Sequence, residues 1–427
     1  MPHLWTAAAL LLTLASMSLG GCSSSDDNAP AGAPDASAAS DALQDGSSAD
    51  TLEAATQPGD ADSSDAAPAD GTSTDAQELG DTETEEATMP DAGAGPVLLS
   101  LNLHCLKVEG SDFTDNTQRL AKVAEIAAAE GVTAIALQEV CENASMKALD
   151  VLHAQLELAT GTTWGKARAH AHTAWEGTPD EAQEGLAIVA RGALTDVTVV
   201  EYRKQSGLLR VAIGATLAPE AGGYRLWSVH LDYTDPAVRL AQARETAALV
   251  LAHADPSLDV IIAGDFNAQA GSPSILATES FGFQDLSSSL GGNLIDHVFT
   301  HRGSRLRATM SRLAFDGTTQ PRVSDHPGVI VGLTSVTPTP VTITRLEAHA
   351  TLASGDALWL RGNAPSLDWT WGVPAWKVSD GIYRWVGTEI PKGVAFEYKW
   401  LRNDEAWQTG ANESAAGGDS DVASPAF

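Results

Sequence analysis

The chain has 427 residues, of which 43% are hydrophobic, so it is long enough for two or three domains with packed cores. Its net charge of −31 is unevenly spread, because residues 1–96 hold 18 Asp and Glu residues and no Lys or Arg. The composition therefore excludes a single uniform domain and separates an acidic beginning from a mixed remainder.

The first 22 residues have the pattern of an export signal. The apolar run from Leu4 to Leu19 is too short to span a bilayer as a mature helix, which is typical of a signal peptide. Gly20-Gly21-Cys22 resembles a bacterial lipobox, so residues 1–22 are predicted to be a lipoprotein signal peptide with lipidation at Cys22; an ordinary cleaved secretory signal is the alternative. Because Ser23 follows the cysteine, the resemblance implies an exported lipoprotein of the outer membrane or cell surface, held to the membrane only by its lipid.

Residues 23–96 consist mainly of Ala, Ser, Asp, Gly, Pro and Thr, with almost no large apolar side chains. Such a segment cannot bury enough surface to offset its ordering entropy. We expect a disordered acidic linker that acts as an extended tether.

From residue 97 onward, apolar strands alternate with helical patterns. Helices are predicted at 117–130 and 236–253, and strands at 97–102, 134–139, 185–191, 209–217, 224–232, 260–263, 294–300 and 324–330. This order of elements predicts an α/β domain.

The stretch from Val260 to Asn267 is the clearest single feature. Four apolar residues are followed by Gly264, which we expect to permit a tight turn, and then by Asp265 and Asn267. A carboxylate and an amide two residues apart at a strand end suit a metal ion, a phosphate or a water nucleophile. An Asx turn that merely caps the loop is the alternative.

Other polar residues stand at strand ends in the order Asn102, Gln138-Glu139, Glu184, His230, Asp265, Asn267, Asp296 and Asp325-His326. With the motifs Gln-Glu-Val, Gly-Asp-Phe-Asn and Ser-Asp-His-Pro, this series resembles the endonuclease/exonuclease/phosphatase superfamily over residues 97–334. The resemblance implies a four-layer α/β sandwich of the deoxyribonuclease type. It also implies hydrolysis of a phosphoester.

Phosphoester hydrolysis needs an activated water, charge compensation and a proton for the leaving oxygen. The resemblance implies that Glu139 and Asn102 hold Mg²⁺ or Mn²⁺, with Asp325 as a second metal or phosphate ligand. His326, oriented by Asp296, would be a general base or a phosphate clamp. The remaining implied roles are those of His230 as the second catalytic histidine, Glu184 as its carboxylate partner, and Asp265 and Asn267 as the groups that position water and phosphate.

Several features favour a phosphodiesterase over a nuclease. Cys141 and Ala182 stand where pancreatic-type nucleases of this superfamily have a phosphate-binding Arg and a groove-binding Tyr. Residues 97–334 carry 27 acids against 18 bases, with no basic run to follow a polyanion. Asp232 with Arg239 and Gln242 resembles the smaller Mg-dependent phosphodiesterases. An extracellular nuclease, with nucleic acid as its partner, is the alternative.

Two cysteines remain after Cys22. Cys105 and Cys141 lie shortly after Asn102 and Glu139, on strands that are neighbours in the fold that the resemblance implies. A disulfide that braces the metal site is predicted, and two separate buried thiols are the alternative.

Residues 335–340 are predicted to be a short linker, and 341–412 to form a small immunoglobulin-like β-sandwich with seven of the eleven tryptophans. This stretch resembles the starch-binding carbohydrate-binding modules of family 20. The resemblance implies a polysaccharide partner, possibly an α-glucan, bound by stacking on flat indole rings. The resemblance implies Lys399 and Trp407 as binding residues, with either Trp369 or Trp371 as the first platform tryptophan. Residues 413–427 are predicted to be a disordered tail, and a catalytically inert glycan-binding surface lipoprotein is the rival to the enzyme hypothesis.

Overall fold

The computed structural model describes residues 95–254 and 259–427. The predicted signal peptide, the lipidation site Cys22 and all but the last two residues of the predicted linker lie outside these ranges. Within the described ranges no helix combines the length and the apolar character needed to cross a membrane.

Up to Ser335 the described chain alternates strands and helices. The strands are β1 (Val97–Asn102), β2 (Ala134–Gln138), β3 (Trp164–Ala174), β4 (Ala182–Arg191), β5 (Leu194–Glu201), β6 (Val211–Leu217), β7 (Arg225–His230), β8 (Val260–Asp265), β9 (Phe283–Asp285), β10 (Asp296–His301), β11 (Leu306–Ala314) and β12 (Gly328–Ser335). The helices are α1 (Asn116–Ala129), α2 (Ala148–Thr160), α3 (Pro236–Ala252) and α4 (Pro273–Glu279), with short 3-10 turns at His104–Leu106, Pro219–Ala221 and Ser288–Leu290.

These strands form two six-stranded sheets. The first has the order β11-β12-β1-β2-β4-β3, and the second has the order β5-β6-β7-β8-β10-β9. At the centre of each sheet two strands run parallel, β1 with β2 and β7 with β8, so their carboxyl ends reach the same edge.

The sheets pack face to face between two layers of helices. Leu98, Ile188, Ile213 and Ile261 belong to the core between the sheets. A second core joins the outer face of the first sheet to α1 and α2, and a third joins the outer face of the second sheet to α3 and α4. The predicted four-layer α/β fold is thereby confirmed.

Strand alternation decides which residues face the interior at the edge. In β1, Leu99 and Leu101 pack toward the helices while Leu98 packs between the sheets, so Asn102 falls on the inner face. In β8, Ile261 and Ala263 face inward, and Asp265 therefore does so too. The same alternation of side chains places Glu184, His230 and Asp296 on the inner faces of their strands. Polar and charged side chains therefore cluster at this edge of the two sheets.

The structure requires a glycine at position 264, but not for the tight turn that was predicted. It lies inside β8 rather than in a turn, with φ of 149°, and a Cβ there would stand 2.0 Å from the carbonyl oxygen of Val229. The glycine thus permits the close approach of β7, and the turn follows at Asp265 to Asn267.

The chain beyond Ser335 forms a β-rich region that we call the C-terminal module. Its strands are β13 (Thr344–His349), β14 (Leu358–Gly362), β15 (Val373–Ser379), β16 (Ile382–Gly387), β17 (Ala395–Arg402), β18 (Ala406–Trp407), β19 (Glu413–Ala416) and β20 (Ser420–Ala423). β15 pairs with β14 in its first half and with β16 in its second half, which joins the two faces of a small β-sandwich.

The prediction of a disordered tail at 413–427 is wrong. β19 pairs with β17, and β20 runs parallel to β13 with Arg345 opposite Ser420. Edge strands are held by backbone hydrogen bonds, so the small and polar residues of this segment suffice, and Ala415 and Ala423 add contacts with the core.

The C-terminal module packs on α3. Leu346, Leu360 and Trp385 of the module share one hydrophobic core with Ala247 and Val250 of α3. The predicted linker 335–340 therefore leads into a module that is packed against the α/β region.

Candidate active site

A cleft of about 570 Å³ opens at the edge where the inner faces of the two sheets meet. It collects most of the residues that the sequence singled out. The predicted residues that line it are Glu139, Glu184, His230, Asp265, Asn267, Asp325 and His326.

Asn102 joins two of the carboxylates. Its Nδ2 donates to Glu139 Oε1 at 3.0 Å and to Asp265 Oδ2 at 3.2 Å, while its Oδ1 accepts the backbone N–H of His104 at 2.8 Å. The amide orientation follows from these partners, because the nitrogen donates to two acceptors and the oxygen takes a donor. The predicted metal ligand Asn102 is thus a hydrogen-bond bridge between two acids in this structure.

Asp265 and Asn267 form an Asx turn and also line the cleft, so both alternatives predicted for this motif are present. Asp265 Oδ1 accepts the backbone N–H of Asn267 at 2.7 Å, which is an Asx turn. Asp265 Oδ2 nevertheless faces the cleft, and Asn267 Nδ2 donates to the carbonyl oxygen of Leu231 at 3.0 Å. The turn therefore fixes both side chains at the cleft.

Asp296 and His326 form an ion pair at the base of the cleft. His326 Nδ1 lies 2.7 Å from Asp296 Oδ2 and 3.9 Å from Asp265 Oδ2. Burial alone would lower the pKa of His326, but the hydrogen bond and charge of Asp296, with the charges of Asp265 and Asp325, outweigh it and raise the pKa to about 10. A ring that is already protonated at neutral pH suits a phosphate clamp better than a general base.

Arg210 is a site residue that the sequence reasoning missed. Its Nη1 donates to His230 Nδ1 at 3.0 Å and lies 3.7 Å from Glu184 Oε1. Arginine only donates, so His230 accepts at Nδ1 and carries its proton on Nε2, which lies 3.5 Å from Asp265 Oδ2. Burial and the charge of Arg210 hold the pKa of His230 well below its usual value, so the ring is neutral.

Two further histidines were missed. His172 Nε2 lies 3.2 Å from Glu184 Oε2, and His104 Nδ1 lies 3.3 Å from Asp325 Oδ1. His104 could have been found from its place two residues after Asn102 at the same strand end. His172 comes from β3, whose pairing with β4 could not be read from local sequence.

The backbone around the cleft is in the left-handed region at several residues other than glycine. His104, Cys105, Leu106, Glu139 and Asn267 have φ between 45° and 57°. Such conformations cost free energy and persist where the surrounding structure imposes them, which is characteristic of active sites.

The carboxylates crowd one another in a buried setting. Burial raises the pKa of Glu139, and the charge of Glu184 raises it further. Burial also raises the pKa of Asp265, with an added contribution from the charge of Asp296. The site therefore holds more negative charge than its histidines and Arg210 compensate.

This arrangement fits a divalent cation. Asp296 Oδ1 is buried without a hydrogen-bond partner, although the other oxygen of this carboxylate is paired with His326. Asp265 and Asp296 each place a carboxylate oxygen within 4.8 Å of the other, whereas the protonated ring of His326 has no lone pair to offer a cation. A donor set dominated by carboxylate oxygens suits Mg²⁺ or Mn²⁺.

Cys105 and Cys141 form a disulfide beside the cleft, with their Cα atoms 4.7 Å apart. The bond links the turn after β1 to the segment after β2, and these segments carry His104 and Glu139. It thus braces two walls of the site.

The predicted glycan-binding residues separate into two groups. The rings of Trp369 and Trp407 lie 6.4 Å apart at an interplanar angle of 32°, and Trp407 is 42% exposed. Lys399 Nζ donates to the carbonyl oxygen of Gly410 at 2.7 Å. Trp371 does not share this surface, because the guanidinium of Arg244 from α3 covers its ring at 3.4 Å. The prediction for Trp371 is corrected accordingly: its ring packs against α3.

Residues 99–326 match the model of the endonuclease/exonuclease/phosphatase family, which is more than half of the chain. The chain belongs to this family, whose members are phosphoesterases that include nucleases and phosphatases and commonly use divalent metals. No curated protein matches the chain.

Solved structures of low sequence identity also resemble this protein. A family protein from Leptotrichia buccalis C-1013-b shares 17% identity with a TM-score of 0.47, covering 56% of this chain and 100% of that one. A second, from Beutenbergia cavernae DSM 12333, shares 18% identity with a TM-score of 0.46, covering 75% and 99%. The mannosyl-6-phosphatase of Bacteroides thetaiotaomicron VPI-5482 shares 17% identity with a TM-score of 0.40, covering 56% and 100%.

Proposed function

We propose that this protein is a divalent-metal-dependent phosphodiesterase that also binds a polysaccharide through its C-terminal module. One observation supports the catalytic part of the proposal. A single cleft contains more carboxylates than cationic side chains, and it also contains cationic and neutral N–H donors. Glu139 and Asp265 supply negative charge on one side, and His326, His230 and Arg210 supply donors on the other. This combination suits a phosphoryl group held against a metal ion.

The chain's own residues divide the work of this reaction. Glu139, with Asp265 and Asp325, would hold the ion, which when bound compensates charge on the phosphoryl oxygens and activates water. His326, kept cationic by Asp296, would contact the phosphoryl oxygens. Arg210 holds His230 in one tautomer, so that its Nε2–H is available to donate.

A non-nucleotide phosphodiester is the substrate class that the cleft favours. Among the described residues that line it, Arg210 alone carries an arginine or lysine charge, and Glu184 already lies beside that charge. Exposed apolar side chains stand at the mouth instead, with Trp175 40%, Leu208 41% and Tyr233 58% exposed. A polyanion needs a row of cations along its phosphates, and the described residues that line the cleft do not supply one.

Removal of metal is expected to abolish activity. With excess EDTA, hydrolysis of bis(p-nitrophenyl) phosphate should fall by about 10³-fold or more, because charge compensation in the transition state is lost. Added Mg²⁺ or Mn²⁺ should restore the rate, measured as p-nitrophenolate release.

The same assay should include a phosphomonoester, a phospholipid, and single-stranded and duplex nucleic acids. The highest kcat/KM is expected for a non-nucleotide phosphodiester. A preference for nucleic acid would instead assign a nuclease, and full activity in EDTA would contradict the metal mechanism altogether.

The glycan-binding part of the proposal is supported by Trp369 and Trp407. Large indole rings are seldom left exposed, and Trp407 in β18, with the ring of Trp369 beside it, offers an apolar surface to a sugar ring. Arg361 lies 5.4 Å from the centre of the Trp407 ring and donates to Asp404, so the ring is packed beside a fixed guanidinium.

Trp407→Ala is expected to release the protein from an insoluble α-glucan. The loss should be about 1 to 3 kcal/mol if sugar stacking resembles base stacking on aromatic rings. Retention should be measured with the full chain, because the module shares its core with α3 and a fragment would expose that core.

Phe427→Ala is the matched control, since Phe427 is an aromatic residue of the same module with 37% exposure. It should leave retention unchanged. Equal retention of wild type and Trp407→Ala, or no retention on any of a panel of glucans, would leave the module as a packing domain.

A further inference from the structure

The segment from Tyr202 to Arg210, which joins β5 to β6, touches both the cleft and the C-terminal module. At its end, Arg210 is 4% exposed and donates to His230 at 3.0 Å. At its beginning, the guanidinium of Arg203 lies 4.0 Å from the ring centre of Trp376 in the module. One short segment therefore contacts a tryptophan of the module at one end and a histidine of the cleft at the other.

The two ends of this segment are bonded to each other. Gln205 Oε1 accepts the backbone N–H of Arg210 at 2.9 Å, and Gln205 Nε2 donates to the carbonyl oxygens of Tyr202 and Arg210. The backbone N–H of Tyr202 also donates to the carbonyl oxygen of Arg210 at 3.2 Å. Tyr202, the chain neighbour of Arg203, is therefore bonded to Arg210 both directly and through Gln205.

Helix α3 also contacts the segment at Arg203 and Lys204. Glu245 accepts the backbone N–H groups of Arg203 at 2.8 Å and Lys204 at 3.2 Å, and Gln242 Nε2 donates to the carbonyl oxygen of Lys204. These bonds attach the backbone of residues 203 and 204 to α3. The side chain of Arg203 is left to the module.

Stacking is the main contact of the Arg203 side chain. Its Nη1 is buried without a hydrogen-bond partner, and burial lowers the pKa of this guanidinium. Trp376 and Trp359 of the module are only 6% and 5% exposed, with Arg203 and Lys204 over their rings. Stacking of a desolvated cation on an indole ring is favourable, so the module tryptophans hold the Arg203 end of the segment in place.

We propose that the C-terminal module positions Arg210 for catalysis, through the stacking of Arg203 on Trp376. Arg203 is a positioning residue in this proposal, since it touches neither the cleft nor a reacting atom. The inference rests on the proposed hydrolase function, because Arg210 acts there through His230. It gives the module a role in the reaction in addition to binding a glycan.

Arg203→Ala in the full chain is expected to lower kcat/KM for bis(p-nitrophenyl) phosphate about tenfold, since small misplacements of catalytic groups have effects of this size or larger. Arg244→Ala is the matched control. Arg244 also stacks on a module tryptophan, Trp371, at 3.4 Å, but it belongs to α3 and not to the segment from Tyr202 to Arg210. It should change kcat/KM less than twofold while shifting the melting temperature as much as Arg203→Ala does.

Combining the change with Arg210→Ala separates positioning from general loosening. If Arg203 acts through Arg210, Arg203→Ala should cost nothing further in the Arg210→Ala background. An additive loss, or equal losses for Arg203→Ala and Arg244→Ala, would overturn the proposal. Arg203→Lys, which keeps the charge and loses the flat stacking group, should resemble Arg203→Ala.

A measurement independent of activity completes the test. In protein labelled with ¹⁵N-histidine, the His230 ring signals should shift in Arg203→Ala and in Arg210→Ala, but not in Arg244→Ala. Unchanged His230 signals in Arg203→Ala would overturn this inference even in an active enzyme. Absence of hydrolysis by wild type would instead overturn the proposed function.

Discussion

Glu139→Gln is expected to lower kcat/KM by roughly 10³-fold or more, as is typical when charge compensation in a transition state is removed. Glutamine keeps the size of the side chain and can still accept the hydrogen bond that Asn102 donates at 3.0 Å. What it loses is the negative charge that a divalent cation requires. The fold should survive, because burial raises the pKa of Glu139 and the charged form is costly without a cation.

Binding of Mn²⁺ should weaken together with the rate, which calorimetric titration of wild type and variant would measure. Glu220→Gln is a suitable control, since it removes one charge from an exposed position in the 3-10 turn Pro219–Ala221. It should leave both rate and metal affinity unchanged. A Glu139→Gln protein that binds Mn²⁺ normally and keeps a tenth of its activity would contradict the assignment of this residue.

The strand ends of the site were predictable because the alternation of an apolar strand is local and because the order of the polar residues resembles a known superfamily. An apolar strand of known alternation fixes the face on which Asn102 or Asp265 must fall, and parallel neighbours bring such residues to one edge. The Asx turn at Asp265 was foreseen as an alternative to function. The structure shows that the same turn does both, because one carboxylate oxygen caps the loop and the other faces the cleft.

Arg210 was not predictable in this way. It follows an irregular segment, and its contact with His230 depends on the pairing of β6 with β7, which sets Ala212 opposite Val229. A local signal did exist, since an arginine at the start of an apolar strand is costly unless it has a partner. The sequence gives no indication of which partner that is.

In the C-terminal module, too, contacts between residues far apart in sequence could not be predicted. When only the sequence is considered, the resemblance gives Trp407 directly, whereas Trp369 and Trp371 are equally plausible as the other sugar platform. Packing of the module on α3 places Arg244 over Trp371, and this contact joins residues that are far apart in sequence. In the last segment, the pairing of β20 with β13 supplies backbone order that composition cannot reveal.

His326→Ala and His230→Ala are each expected to lower kcat/KM by about 10² to 10⁴, the range for groups that transfer protons or contact the reacting phosphate. Both rings line the cleft. His326→Ala also leaves the buried Asp296 carboxylate without its partner, so a lower melting temperature is expected for that variant, and the rates are compared well below it. His349→Ala, at an exposed position on β13, is the control and should be silent.

The size of the loss with different leaving groups separates two roles for His326. A general acid matters less when the leaving group is p-nitrophenolate, which departs without a proton, than when it is an alkoxide. A phosphate clamp matters equally for both, because it contacts oxygens that do not leave. Since Asp296 keeps His326 cationic and holds its Nδ1 at 2.7 Å, we expect the clamp, and hence equal losses for p-nitrophenyl and alkyl phosphodiesters in His326→Ala. A loss confined to the alkyl ester would assign proton donation to His326 instead.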